Sequence, residues 1–331
     1  MKLASLRTEH PDGKLVIVSN DQKYCVEAEN IAPTMQFALE NWSACSEALT
    51  VKYQRLNDGL EKQRFEFSTM DTCAPLPRSW QWLDGSLFLN HGHLMQQAFH
   101  LDPIADADKF PLVYQGAGDS FLGAVDDIVV ADFKHGIDFE GEFGVIVDAI
   151  PMGSSAAYAL TKIRLVVLLN DISYRALGPR EMKTGFGFVQ AKGSTAFAPL
   201  ALTPEELGEH WQNGRVCLPL QVKRNGQIFG EPQGQEMHFG FHELIAHVAQ
   251  TRAIKAGTVF GSGTVSNVDP SKGQACISEL RAKEMIKTGS GQTPFMQQDE
   301  VVSMNAFAPN GKSVFGAIEQ RVTAHNHGEK L

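Results

Sequence analysis

Three shortages frame this chain of 331 residues. Cysteine is scarce and scattered: Cys25, Cys45, Cys73, Cys217 and Cys276 are odd in number and form no Cys-x-x-Cys pair. That usage fits reduced thiols and argues against a disulfide framework or a zinc held through sulfur. Long apolar runs are also missing. The longest aliphatic stretch, Leu165 to Leu169, falls far short of the roughly 18 residues that read as a membrane span. Positive charge is the third shortage, with 29 Lys and Arg against 38 Asp and Glu and a net charge of -9. No basic stripe is present to track a phosphate backbone, so nucleic acid is not an expected partner. Arg7, Glu9 and Asp12 occupy the positions where a secretory signal needs an apolar run, and the expected location is the cytoplasm. What remains, 43% apolar and 20% charged, is the composition of a globular protein of about two domains.

Several familiar motifs fail. Gly116-Ala-Gly118, Gly185-Phe-Gly187 and Gly261-Ser-Gly263 do not complete a dinucleotide fingerprint, and neither a P-loop lysine motif nor a Gly-x-Ser-x-Gly elbow occurs. His242-Glu243 and His247 are spaced one residue too far for a helical zinc site, because about 100° per residue leaves the two imidazoles roughly 140° apart. They read as helix-surface or capping histidines. The His325-Asn-His327 pair reads as a solvated tail.

Along the chain, residues 1–77 carry one strand-like segment, Lys14 to Ser19, and one helix through Met35, Leu39, Trp42, Cys45 and Leu49, with Thr34 as its N-cap. Two prolines in Cys73-Ala-Pro-Leu-Pro-Arg78 mark an extended link, so the expected units are 1–77 and 78–331. The second is richer in strands, with Glu142 to Val147 and Lys162 to Leu169 the clearest. Asn225-Gly226 and Asn310-Gly311 predict type I′ hairpins. Thr203-Pro204-Glu205-Glu206 predicts a capped helix start, and a further helix runs from about Phe241 to Gln250.

One constellation carries chemistry. On a strand, Glu140 and Glu142 emerge on the same face, because side chains alternate with period two. Adjacent carboxylates are costly unless a cation neutralises them; a solvent-facing acidic strand is the competing reading. The hydrophobic strand ending in Asn170-Asp171 adds a third acid. Oxygen-only ligation of this kind suits Mg²⁺, Ca²⁺ or Mn²⁺ rather than zinc or copper.

At these residues the chain resembles the fumarylacetoacetate hydrolases over about residues 74–323. The Glu-x-Glu pair matches Glu140 and Glu142. Asn170-Asp171-Ile-Ser173-Tyr-Arg175 matches the family's next block, Lys192 its lysine some twenty positions later, and Gly263-Thr264-Val-Ser266 followed by Glu279 its last block. Upstream, Asp84 and His91 stand at the family's separation of ligand and catalytic histidine, and Tyr114-Gln-Gly116 resembles the substrate-pocket motif. His93 competes with His91.

The resemblance implies an α+β, predominantly β fold: a mixed β-sheet roll over 78–331 preceded by a small N-terminal domain. It implies a metal set of Asp84, Glu140, Glu142 and Asp171, with Mg²⁺ or Ca²⁺ bound and Mn²⁺ an alternative. His91, Lys192 and Glu279 become catalytic candidates, and Tyr114, Arg175 and Thr264 substrate-binding ones. The implied reaction is hydrolysis of a carbon–carbon bond in a small 1,3-dicarbonyl acid, by a homodimer; decarboxylation or isomerisation of a 2-keto acid is the alternative. Phe88 stands where many members have tyrosine, and Leu94 where some have glutamate. His100 and Gly178 fall near the positions of the family's substrate-gripping arginine and glutamine, so substrate identity does not carry over.

Overall fold

A computed structural model describes residues 1–325, and His327 of the expected tail lies outside them. The fold is α+β, with strands outweighing helices around an eleven-stranded mixed sheet and a second sheet of five strands.

The centre of the large sheet is the pair Gly141–Val147 and Ile163–Asn170, antiparallel and buried almost throughout. The run Leu165 to Leu169 is unbroken because both faces of its strand are covered. Val166 and Leu168 enter one hydrophobic cluster, while Leu165, Val167 and Leu169 enter the other on the opposite face. Trp82–Gly85 joins this centre through Val259–Gly261, which pairs with it in parallel and with Gly141–Val147 antiparallel.

The N-terminal residues hold more strand than expected. Lys2–Leu6, Lys14–Val18, Tyr24–Glu27 and Phe65–Glu66 form a meander, and Lys2↔Leu202 pairing joins it to the central sheet. The link around residues 73–78 is irregular, yet strands on both sides of it share one hydrogen-bonded sheet. The single helix expected there is two, Met35–Glu40 and Trp42–Asn57. Thr34 caps the first, accepting from Phe37 N at 3.2 Å. Asn41 then breaks the run: its side-chain amide donates to Phe37 O at 2.9 Å, the local competition with helical bonding that asparagine makes.

Asn225 and Gly226 are both left-handed, at φ 51° and 77°, as a type I′ turn requires. The other Asn-Gly expectation is corrected: Gly311 is left-handed and Asn310 is not. There Gly311 N bonds to Ala308 O at 2.8 Å, and the hairpin closes through a Phe307↔Ser313 bridge. The helix Pro204–Leu207 forms with Thr203 as its N-cap residue, but the Thr203 side chain makes no capping hydrogen bond; its hydroxyl accepts from the Met1 amino group at 2.7 Å. The helix Phe241–Ala249 forms as expected. Neither His242 nor His247 belongs to a metal-capable cluster among the described residues. None of the helices in those residues is long and apolar enough to cross a membrane.

Candidate metal centre and active site

Strand register brings the acids together. Asp84 lies opposite Gly261 on one side and Tyr114 on the other, while Gly141 lies opposite Asn170. Asp171 N then bonds to Glu140 O at 3.0 Å. The Asn170 side chain fixes the same corner, accepting from Glu140 N at 3.0 Å and donating to Gln320 at 3.0 Å. As a result Asp84, Glu140, Glu142 and Asp171 are all buried, each with an oxygen within 4.8 Å of the others'. Two glycines permit this approach. A Cβ on Gly261 would sit 2.3 Å from Asp84 Oδ1, and Gly263, left-handed at φ 71°, donates its N–H to that oxygen at 3.0 Å.

Two cations contact the cluster. Lys192 Nζ lies 2.5 Å from Glu140 Oε2 and 2.5 Å from Asp171 Oδ2; its backbone is set by a bridge to Ser173. Arg175 reaches Asp138 Oδ2 through Nε at 2.8 Å and Glu140 Oε1 through Nη2 at 2.5 Å. Asp171 also accepts from the Tyr114 hydroxyl and from Thr195 Oγ1, the latter at 2.9 Å. Glu142 receives nothing: both of its oxygens are buried without a hydrogen-bond partner.

This asymmetry separates the ionisations. Burial opposes charge on Glu140, but Lys192 and Arg175 outweigh it and hold the carboxyl well below its ordinary range. Burial and then Asp84 push Glu142 well above its ordinary value. Asp84 itself is raised to about 8 by burial and by Asp171. The protein's own cations thus favour charge on Glu140, while Glu142 and Asp84 resist ionising and Glu142 keeps two unused oxygens.

The second cluster adjoins the first through Cys276, whose backbone bridges to Glu140. His91 lies in the first turn of the helix Leu89–Phe99, and Glu279 in the first turn of Ile277–Thr288. His91 Nδ1 is 3.9 Å from Glu279 Oε2, longer than a hydrogen bond, and neither atom has another partner. Glu279 Oε1 accepts from Ser266 Oγ at 2.7 Å, which in turn accepts from Asn90 at 2.8 Å. Thr264 Oγ1 is also buried and unpartnered. His93, the competitor, is exposed on the same helix.

Of the expected substrate-binding groups, Tyr114 and Arg175 are turned onto carboxylates of the cluster. The residues that sequence reasoning left without a role are holders: Asp138, Thr195, Asn90 and Ser266, the last named only as part of the Gly263-to-Ser266 block. A signal for Asp138 existed, since it shares the parity of Glu140 and Glu142; the other three contacts depend on chain crossings that no spacing encodes.

Comparison with known proteins agrees with the geometry. The family model for the fumarylacetoacetate (FAA) hydrolase C-terminal region matches residues 82–323, and that for fumarylacetoacetase N-terminal domain 2 matches residues 1–78. The chain belongs to the fumarylacetoacetate hydrolase family. Among its relatives, the 2,4-didehydro-3-deoxy-L-rhamnonate hydrolase of Sphingomonas sp. is 27% identical over 183 residues, 54% of this chain and 61% of that protein. The chain thus spans about three-fifths of that relative's length. The mitochondrial oxaloacetate tautomerase of Bos taurus is 24% identical, over 61% of this chain and 89% of its own. Maleylpyruvate hydrolase from Sphingobium sp., solved with manganese(II) ion and pyruvate, superposes with a TM-score of 0.67 at 13% identity, over 98% of this chain and 100% of that one.

Family members thus include hydrolases, isomerases and a tautomerase. The all-oxygen donor set and the orphaned Glu142 carboxylate fit a divalent metal.

Proposed function

We propose that this fumarylacetoacetate hydrolase family enzyme hydrolyses a carbon–carbon bond in a small 1,3-dicarbonyl acid of the fumarylacetoacetate or acylpyruvate type. Asp84, Glu140, Glu142 and Asp171 would hold the metal, Mg²⁺ or Ca²⁺ by the hardness of the ligands and Mn²⁺ on the same grounds. The observation that carries the reading is the pairing of a four-carboxylate cluster, in which Glu142 has no hydrogen-bond partner, with an adjoining His91–Glu279 couple whose facing atoms have none.

When bound, the ion supplies Lewis-acid polarisation of substrate oxygens. The remaining chemistry belongs to the chain. His91 takes a proton from water, with Glu279 orienting the ring through Nδ1 and stabilising the imidazolium. The 3.9 Å gap is of the kind that tightens when substrate binds. The resulting hydroxide adds to the carbonyl carbon, the adjacent carbon–carbon bond breaks, and its electron pair leaves on the departing carbon, which is then protonated. Lys192, an ammonium aimed at the cluster, stabilises developing negative charge and delivers that proton. Thr264 and Tyr114 line the substrate's side.

A second reading, proton transfer without bond cleavage, is favoured by the likeness to an oxaloacetate tautomerase; decarboxylation is a further outcome of the same assay. Incubation with Mg²⁺ and either acylpyruvates or oxaloacetate separates them: two acids mean hydrolysis, carbon dioxide means decarboxylation, and an enol–keto shift alone means tautomerisation. His91→Ala is expected to cut turnover by about 10²- to 10⁴-fold with metal retained. An unchanged rate would remove His91 as the base.

A further inference from the structure

The dyad and the metal cluster are built on different parts of the chain, and one buried carboxylate touches the supports of both. Asp138 is fully buried. Its Oδ1 accepts from Ile277 N at 2.8 Å and its Oδ2 from Ser278 N at 2.9 Å, which are first-turn amides of the helix that carries Glu279. The same Oδ2 accepts from Arg175 Nε at 2.8 Å, and the other end of that guanidinium holds Glu140 Oε1.

The chemistry of these contacts is specific. First-turn amides have no partner inside their own helix, and a carboxylate placed there is favoured by the helix dipole. The native cap, Cys276, covers only Glu279 N, through sulfur at 3.3 Å; Asp138, 139 residues away, supplies the other two acceptors. On its far side, a planar guanidinium that bridges two acids fixes both at once. Backbone pairing adds to this: Asp138 pairs with Ser173, and Ser173 bridges to Lys192.

We propose that Asp138 is a positioning residue that couples the metal cluster to the base dyad, setting Glu140 through Arg175 and Glu279 through the helix start. The proposal rests on the functional reading above for Glu279 and on the metal fit for Glu140. Without the Asp138 charge, Arg175 is free to close on Glu140 and compete for its oxygens, while the Glu279 helix loses two acceptors.

Asp138→Asn keeps the shape and removes the charge. Calorimetric titration with Mn²⁺ should show affinity weakened by about 10- to 100-fold, the scale on which partners of metal ligands act. Amide hydrogen exchange at Ile277 to Glu279 should quicken. At saturating Mn²⁺, which removes the metal-affinity arm, turnover should drop while KM changes little, and that drop should vanish on a Glu279→Gln background, as for residues acting through one another. Mn²⁺ affinity within threefold of wild type, unaltered exchange, or losses that multiply with Glu279→Gln would each overturn the coupling. If Asp138→Asn does not fold, Arg175→Lys decides the cluster arm, because a single ammonium cannot span both acids; unchanged Mn²⁺ affinity there overturns it. Metal affinity and exchange are independent of which reaction is catalysed, so a silent Glu279→Gln would sink the base assignment and leave these two readouts to judge Asp138.

Discussion

Replacing Glu142 by glutamine tests the central physical claim, because it should strengthen the metal-free protein and weaken its hold on metal. Glu142 is buried, both its oxygens lack partners, and its carboxyl is pushed well above the ordinary 4.5, first by burial and then by Asp84. A group raised in the folded state contributes its full stability below the unfolded value and loses it as pH climbs. Each unit of that upward shift costs about 1.36 kcal/mol of stability once the pH passes above it. Glutamine carries no such cost, and its amide meets the same partnerless surroundings. Reversible denaturant unfolding in EDTA should therefore show little difference between wild type and Glu142→Gln near pH 4.5, and a gain for the variant that grows as pH rises to 7. With metal added the gap narrows: at a hundredfold excess over Kd, wild type gains about 2.7 kcal/mol and the variant gains little. The reasoning fails if the variant is no more stable than wild type at pH 7 in EDTA, or if its metal-induced gain matches wild type.

Metal uptake should also release protons near pH 7, since Asp84 titrates at about 8 and Glu142 is raised as well; calorimetry in buffers of different ionisation enthalpy would show it, and a buffer-independent heat would contradict it. Lys192→Met should cost the metal-free protein about 3–5 kcal/mol, because Glu140 and Asp171 lose a shared buried counter-charge, and should reduce turnover after metal is restored; a silent variant would favour a purely structural metal. Gly261→Ala drives a methyl to 2.3 Å from both Asp84 Oδ1 and the Trp82 ring, so metal affinity and thermal stability should fall together, while preserved affinity would mean the strand can shift.

Much of the site is legible in one dimension. The same-face arrangement of Glu140 and Glu142 follows from strand period, and the buried strand ending in Asn170-Asp171 from an aliphatic run with an acid at its close. The order of Lys192, Gly263-Thr264 and Glu279 then links these to a family whose model spans residues 82–323. Parity could have extended this to Asp138. The N-terminal strands were harder, because Lys2–Leu6 and Tyr24–Glu27 are short and acquire burial only by joining the sheet edge at Leu202. Asn310 misled because an Asn-Gly pair permits a left-handed turn without enforcing one when the paired strands are joined by a long connection, here between Ala306 and Ile318.

Local pattern, then, settled which residues share a face and which chemical hardness they offer to a cation, since both are properties of neighbours along the chain. Tertiary structure alone decided which cations answer those acids. Lys192 and Arg175 satisfy Glu140 and leave Glu142 without a partner, and Asp138 reaches across 139 residues to the helix bearing Glu279. Charge balance in a buried site depends on distances of a few ångströms between segments remote in sequence, and those distances exist only after the sheet has closed.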